Sequence, residues 1–238
     1  MIVTYLKHRI PVWIIVLSSL TTVAQDFGEE SLGAWYMYSE HIQISENVSI
    51  PIDAQLRMYE LSGNFNQALV LNGINYHFSD NWIGNLGYGF LDTDASFETT
   101  ENFEHTREYR IYETLTLKNK LNRIQLSNRI RVDHRSLHQG NEAFTRHRFR
   151  YRIGATYYIN KRWLLVAYNE TFTSITTQKF QQNWSFSALG YQVNKNLKLE
   201  LGYLKQIAPN KNFDRLQVAI IHKTDLRAKR NLSDMVTD

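Results

Sequence analysis

The sequence predicts an all-β fold, an antiparallel transmembrane β-barrel of about 10–12 strands, on three observations. The first is the stretch from Ala143 to Ile159, whose alternate residues separate into two phases. Arg146, Arg148, Arg150 and Arg152 occupy one phase; His147, Phe149, Tyr151, Ile153, Ala155, Tyr157 and Ile159 occupy the other. Only an extended strand sends every second side chain to the same face. Repeated through nearly every strand, that pattern calls for lipid outside and a polar lumen within. The second observation is an export-type N-terminus, and the third is an alternation of short and long connections.

The N-terminus carries basic Lys7, His8 and Arg9, then an apolar run from Ile10 to Leu20, then Thr22-Val23-Ala24, which resembles a small-residue cleavage site. The apolar run falls short of the roughly 20 residues that a spanning helix needs. Residues 1–24 are therefore read as a signal peptide, with an uncleaved anchor helix as the rival. Residues 25–225 form one barrel domain and 226–238 a polar tail.

Strand-like segments follow in order. Leu32–Ile42 comes first, and Asn47–Tyr59 is the clearest. In the latter, Val48, Ile50, Ile52, Ala54, Leu56 and Met58 oppose Ser49, Asp53, Gln55, Arg57 and Tyr59. Phe65–Phe78, Trp82–Leu91 and Glu104–Lys118 are less regular. Leu121–Arg135 sets Ile124, Leu126, Ile130 and Val132 outward against Arg123, Gln125, Ser127, Arg129, Arg131, Asp133 and Arg135. After Ala143–Ile159 come Trp163–Thr173 and Phe180–Val193. Asn196–Gln206 sets Leu197, Leu199, Leu201 and Tyr203 against Lys198, Glu200 and Gln206. In the last strand Leu216, Val218 and Ile220 oppose Arg215 and Gln217.

Short polar turns are expected at Ser79-Asp80-Asn81, Asn119-Lys120, Asn160-Lys161-Arg162 and Asn194-Lys195. Longer loops are expected at Asp92–Phe103, Ser136–Glu142 and Ser174–Lys179. Outer-membrane barrels pair short periplasmic turns with longer external loops. Trp82, Trp163 and Leu197 stand just after short turns, as interface anchors would. Parity leaves one segment over, because such barrels normally have an even strand count. Ten strands run from Asn47 to His222, so Leu32–Ile42 either lies inside the barrel or pairs with a further strand to make twelve.

Composition narrows the chemistry. Cysteine is absent, which excludes disulfides, thiolate metal sites and a cysteine nucleophile. Aromatic content is high, with tyrosine leading, as at membrane interfaces. The mean hydropathy is mildly polar, which excludes a helical membrane protein but not a barrel. The formal charge of +4 includes the leader and identifies no partner. Nucleic acid is not an expected partner of an exported chain, and no cofactor is expected.

An ordered set of short motifs then becomes visible. It begins with Gly33-Ala34-Trp35-Tyr36, Gln55-Leu56-Arg57 and Tyr76-His77-Phe78-Ser79-Asp80-Asn81. Gly87-Tyr88-Gly89, Arg110-Ile111-Tyr112-Glu113, Arg148-Phe149-Arg150-Tyr151-Arg152 and Tyr168-Asn169-Glu170 continue it. Leu199-Glu200-Leu201-Gly202-Tyr203 and Arg215-Leu216-Gln217 close it. This set resembles the DUF2490 family of Bacteroidota outer-membrane proteins across nearly the whole mature chain. The resemblance implies a barrel in the bacterial outer membrane, in a family defined by a domain of unknown function. The tail Arg227–Asp238 departs from a barrel that ends on an aromatic strand.

Candidate site residues fall into three groups. Arg123, Arg129, Arg131, Arg146, Arg148, Arg150 and Arg152 form the expected basic cluster of the lumen, suited to bidentate recognition of carboxylate or phosphate. Asp53, Glu108, Asp133 and Glu200 are their expected acidic partners, since small barrels are filled by side chains. Glu113 and Glu170 interrupt apolar phases and are read as turned inward by local β-bulges, with a paired acid and base as the alternative.

Catalytic and metal motifs are weak. His134, Ser136 and His138 cluster near an external loop, but no G-x-S-x-G elbow accompanies them. His105, His134 and His147 lack close metal-ligand spacing. Gly84, Gly87 and Gly89 precede no helix and serve to admit bulky neighbours. The sequence thus predicts a non-enzymatic protein of structural or interaction type with a largely plugged lumen, bathed in outer-membrane lipid and fit to hold another outer-membrane protein. A porin-like narrow channel for small anionic solutes is the alternative, and an outer-membrane lipid hydrolase a remote one.

Overall fold

The computed structural model describes residues 31–97 and 105–227; the expected leader and most of the expected tail lie outside them. Among the described residues eleven strands follow one another. They are β1 (Leu32–Gln43), β2 (Val48–Met58), β3 (Phe65–His77), β4 (Trp82–Thr93), β5 (Thr106–Leu121), β6 (Ile124–Gln139), β7 (Glu142–Tyr158), β8 (Trp163–Ser174), β9 (Phe180–Gln192), β10 (Leu197–Ala208) and β11 (Lys211–Asp225). Each pairs antiparallel with the next, and β1 closes the barrel against β11.

The leftover segment has a different fate from either expectation. Leu32–Gln43 does not lie inside the barrel, and among the described residues no twelfth strand matches it; it is a wall strand paired in parallel with β11, from Leu32↔Asp214 to Gln43↔Asp225. Its other edge pairs antiparallel with β2, from Ala34↔Met58 to Gln43↔Ser49. The reason is geometric. An up-and-down chain with an odd strand count ends in the direction in which it began, so closure forces one parallel pair. A parallel ladder still satisfies the backbone of both edge strands, and closure removes every edge. At this seam one outward-phase carboxylate, Glu40, is only 8% exposed. It accepts a hydrogen bond from the Tyr38 hydroxyl at 2.6 Å and one from the Thr224 hydroxyl at 2.9 Å, and lies 2.8 Å from His222 Nδ1.

Two turns sit later than the sequence suggests. β5 runs through Asn119-Lys120 to Leu121, and the chain reverses at Asn122-Arg123, where Asn122 has φ 52°. Asn tolerates this left-handed conformation well. Likewise Ser136–Gln139 belongs to β6, and the reversal is a tight turn at Gly140-Asn141 with Gly140 at φ 54°. Glycine at the first central position suits a type II′ hairpin. β5, β6 and β7 are consequently 16, 16 and 17 residues long, against 11–13 for β1–β4.

The wall is inverted relative to a water-soluble barrel. Val70, Ile74, Leu86, Ile111, Ile130, Leu199 and Leu201 are exposed on its outer face. Exposed apolar surface of this extent marks an interaction with lipid or protein rather than water. Trp82 and Trp163, the first residues of β4 and β8, are also exposed at the short-turn end, and Trp163 packs on Tyr191 with ring centroids 4.8 Å apart. Inside, two apolar clusters fill part of the bore. One joins Trp35, Phe172, Trp184, Phe186, Ala188 and Leu204; the other joins Leu69, Leu71, Leu91 and Tyr112. The Tyr112 ring lies over Gly87 where any Cβ would collide with it, and its hydroxyl donates to the Asn72 carbonyl at 3.1 Å. What remains is a polar wall on β5–β8 beside aromatic side chains from β1, β8 and β9.

Candidate functional site

The polar wall is built by the strand period. Residues two apart on one strand share a face, and directly paired residues on neighbouring strands bring their side chains together. Glu108 and Arg110 share the inner face of β5, while Arg131 and Asp133 share that of β6. Arg148 lies opposite Asp133, and Arg152 lies opposite Glu170. Three carboxylates thereby become hubs.

Glu108 accepts from Arg110 Nε at 2.6 Å and bidentately from Arg135, at 2.9 Å from Nε and 2.6 Å from Nη2. Asp133 accepts from Arg131 Nε at 2.6 Å and from Arg148 at 3.0 and 2.8 Å, with Arg150 Nη1 at 3.7 Å. Glu170 accepts from Arg129 at 2.8 Å, from Arg150 Nε at 2.8 Å and from Arg152 at 2.9 and 2.7 Å. Asp133 and Glu170 are fully buried, and Arg150 bridges both. Planar guanidinium forks suit such multiply bonded, dehydrated contacts better than ammonium groups do. Guanidiniums also stack on rings: Arg131 over Tyr112 at 3.8 Å, Arg152 over Tyr168 at 4.1 Å and Arg150 over Phe172 at 4.3 Å.

Of the expected basic cluster, Arg129, Arg131, Arg148, Arg150 and Arg152 meet in this lattice. Arg123 does not, because the later turn removes it from the strand; it donates to the Ile159 carbonyl at 3.4 Å at the barrel mouth. Arg146 keeps the inner phase but stands exposed near the opposite rim, 4.9 Å over the Phe144 ring. Among the expected acids, Glu108 and Asp133 hold arginines, whereas Asp53 and Glu200 do not. Asp53 accepts from the Ser39 hydroxyl and Glu200 pairs with Lys198 at 2.7 Å. Both rise from β2 and β10, away from the arginine-bearing strands.

The two interrupting glutamates part company. Glu170 faces the lumen without a bulge at its position: Tyr168, Glu170 and Phe172 share one face of β8, and that face is the inner one. The sole irregularity between β8 and β9 falls later, between Phe172 and Thr173. Glu113 is not turned inward at all. It stays in phase with Ile111 and Leu115 on the outer wall, 3.2 Å from His134 Nε2, and His134 Nδ1 lies 2.9 Å from His147 Nδ1. The glutamates therefore occupy opposite faces and cannot act as a pair. Ser136 Oγ and His138 Nε2 are 3.1 Å apart on the same outer face, and among the described residues no carboxylate orients that imidazole.

Several lumen groups lay outside the expected cluster. Arg57 stacks 3.8 Å over Trp35 and bonds Gln55 and Gln67, with no carboxylate partner among the described residues. Arg215 donates to the Tyr59 and Asp214 carbonyls, each at 3.4 Å. Toward the short-turn mouth, His41, Lys118, Lys198 and Lys223 come within electrostatic reach of one another from β1, β5, β10 and β11. Their alternation was readable along each strand; their convergence depends on closure. The polar wall and the aromatic side chains line a cavity of about 490 Å³.

Comparison with known proteins adds the family. No curated protein matches the chain. A solved structure of the NanC porin in a rhombohedral crystal form is similar to it at 11% sequence identity, covering 73% of this chain and 86% of that chain with a TM-score of 0.48. The model of a family described as "Protein of unknown function (DUF2490)" matches residues 32–217, from the first residue of β1 into β11. That match takes in most of the barrel, and the chain belongs to the DUF2490 family.

Proposed function

We propose that this protein is an outer-membrane barrel whose positively charged lumen passes small anions. The apolar outer face and the aromatic residues at the short-turn end support the location, with the short turns in the periplasm. One observation carries the selectivity. Among the described residues nine arginines (Arg57, Arg110, Arg129, Arg131, Arg135, Arg148, Arg150, Arg152, Arg215) line the central cavity, against five carboxylates in the lumen: Asp53, Glu108, Asp133, Glu170 and Glu200.

In this reading the lattice has a structural duty: it holds seven guanidiniums on one wall despite their mutual repulsion. Seven guanidiniums on three carboxylates leave the lattice itself positive, and with Arg57 and Arg215 set against Asp53 and Glu200 that excess sets the sign of the field. A cleft of one sign with low-dielectric walls focuses that field and concentrates counter-ions. The cations at the short-turn mouth extend it to the entrance. The test is release of trapped solutes from vesicles containing the mature barrel. Release of a small anionic dye with retention of a cationic dye of equal size supports the proposal. Retention of both, or preference for the cation, contradicts it.

A second reading, an interaction protein with a plugged bore, has its own support. Glu113 stands on the outer wall among Ile111, Leu115 and Leu86 with its side chain 55% exposed. A carboxylate facing lipid is costly near the midplane, so the Glu113–His134–His147 chain fits a polar protein partner docked on β5–β7. Both dyes retained, together with capture of a partner that the Glu113→Leu variant loses, would favour this reading.

A further inference from the structure

The lattice leaves donors over, and they gather at the cavity. Arg131 is 6% exposed, and its Nη2 has no hydrogen-bond partner although Nε is bound to Asp133. Trp35 is 3% exposed, and its indole N–H is equally unmatched. Arg129 Nε is a third such donor, against one unmatched acceptor on the cavity wall, Gln217 Oε1. A buried donor left without a partner costs about 1–3 kcal/mol, so three beside one cavity point to an occupant rich in acceptors.

The charge distribution agrees. Arg57, with no carboxylate of its own among the described residues, lies within electrostatic reach of Arg110 and Arg150, and Arg131 lies within reach of the same two. Four guanidiniums from β2, β5, β6 and β7 thus address one region. Trp184 and Phe186 of β9 line the same cavity, and Trp184 has Arg57 on its ring at 5.6 Å and Arg150 at 5.8 Å. At about 490 Å³ the chamber has the size of an ordinary small-molecule site.

We propose that this chamber is a saturable binding site for a small organic oxyanion with a flat apolar body. The carboxylate or phosphate takes the donors of Arg57, Arg131 and Trp35, and the body lies on the Trp184–Phe186 wall. An inorganic ion would satisfy the donors and leave the aromatic wall unused, so the ring-bearing acid is the better fit. The inference rests on the lumen being an anion path, yet its test does not require conduction.

The experiment is a titration of intrinsic tryptophan fluorescence in the detergent-purified full-length barrel, since Trp35 and Trp184 both flank Arg57. Benzoate, acetate, inorganic phosphate and uncharged benzyl alcohol are the probes. The expected result is a saturable change with benzoate at least tenfold tighter than with acetate or phosphate, and none with benzyl alcohol. Arg57→Gln is expected to weaken benzoate at least tenfold, while Arg146→Gln, on the exposed rim, leaves it unchanged. Should Arg57→Gln fail to fold, Arg57→Lys keeps the charge, loses the planar fork and is expected to weaken benzoate severalfold. No saturation, equal response to benzoate and benzyl alcohol, or indifference to the Arg57 variants would overturn the site. Equal affinity for benzoate and inorganic phosphate would overturn the aromatic half of it. Anion release from vesicles without saturable binding sinks this inference and leaves the conduit standing; binding without release does the reverse.

Discussion

Replacing Glu170 by glutamine removes the charge from the most heavily engaged carboxylate in the barrel while nearly preserving its shape. Four guanidinium N–H groups meet Glu170 between 2.7 and 2.9 Å, two on Oε1 from Arg129 and Arg150 and two on Oε2 from Arg152. Glutamine keeps one acceptor oxygen, so the bonds to Arg129 and Arg150 survive as weaker neutral-acceptor bonds. Its NH₂ group faces the Arg152 fork, and both of those bonds are lost. Hydrogen bonds to charged groups contribute about 1.5–3 kcal/mol each, which puts the loss at about 3–6 kcal/mol. Removing one partner of a buried ion pair costs about 3–5 kcal/mol, in agreement. Arg152 is 26% exposed at its side chain and regains some water, so the lower end, about 3 kcal/mol, is expected. Urea titration of the barrel in micelles, followed by tryptophan fluorescence, measures the midpoint shift at constant slope. Asp53→Asn, which disturbs one bond from Ser39, should lose no more than about 1.5 kcal/mol. Adding Arg152→Gln to Glu170→Gln should recover part of the loss, the coupling expected of direct contacts. A Glu170→Gln barrel within about 1 kcal/mol of the parent would refute the idea that this hub holds the arginine wall.

Three further outcomes are expected. Arg at Ile130 or Leu199, both exposed on the outer wall, should impair assembly by about 2–4 kcal/mol near the midplane, read as loss of the heat-modifiable band on gels; normal assembly would reverse the assignment of faces. Gly87→Val should block barrel formation, because any side chain there meets the Tyr112 ring, and Tyr112→Ala should partly restore it; an assembled Gly87→Val barrel in the Tyr112 background would argue against that packing. Since the chain has no cysteine, paired substitutions report the seam cleanly. Cysteines at Tyr36 and Val218, which face each other across β1 and β11, should crosslink under mild oxidation, whereas Tyr36 with Leu201 should not.

Most strand faces were legible because the two-residue period is local. Asn47–Tyr59 and Leu121–Arg135 carry one polar and one apolar phase each, and the lumen takes the polar phase in both. β8 resisted because it has no clean polar face. Leu165 and Ala167 face outward while Leu164, Val166, Tyr168 and Phe172 face the lumen, so alternation could not say which apolar phase met lipid. By alternation alone Glu170 interrupts an outer apolar phase, whereas in the barrel it belongs to the inner face. Glu113 is the opposite case: a carboxylate between Ile111 and Leu115 calls for a bulge on pattern alone, yet it stays on the outer face. Its hydrogen bond to His134 on the neighbouring strand removes that demand.

Closure was the least legible feature. β1 and β11 lie at opposite ends of the sequence, and nothing local distinguishes a parallel seam from a missing twelfth strand. The same holds for the lumen chemistry. Arg57 and Arg215 stood on recognisable polar faces, but only the closed barrel brings Arg57 near Arg110 and Arg150. Arg123 shows the converse error: three residues of unexpected strand at Asn119–Leu121 carried the turn forward and took it out of the wall. Asn122 in the left-handed conformation supplied a stop that Asn119-Lys120 only resembled.

A lumen whose fixed charge favours anions is tested by the single-channel reversal potential of the mature barrel in a planar bilayer under a potassium chloride gradient. The expected result is a steady small conductance with the sign of chloride preference, weakened by Arg57→Glu, which leaves eight arginines against six carboxylates, and unchanged by Glu113→Gln. Cation preference in the parent, or an inserted heat-modifiable barrel with no conductance at all, would contradict it.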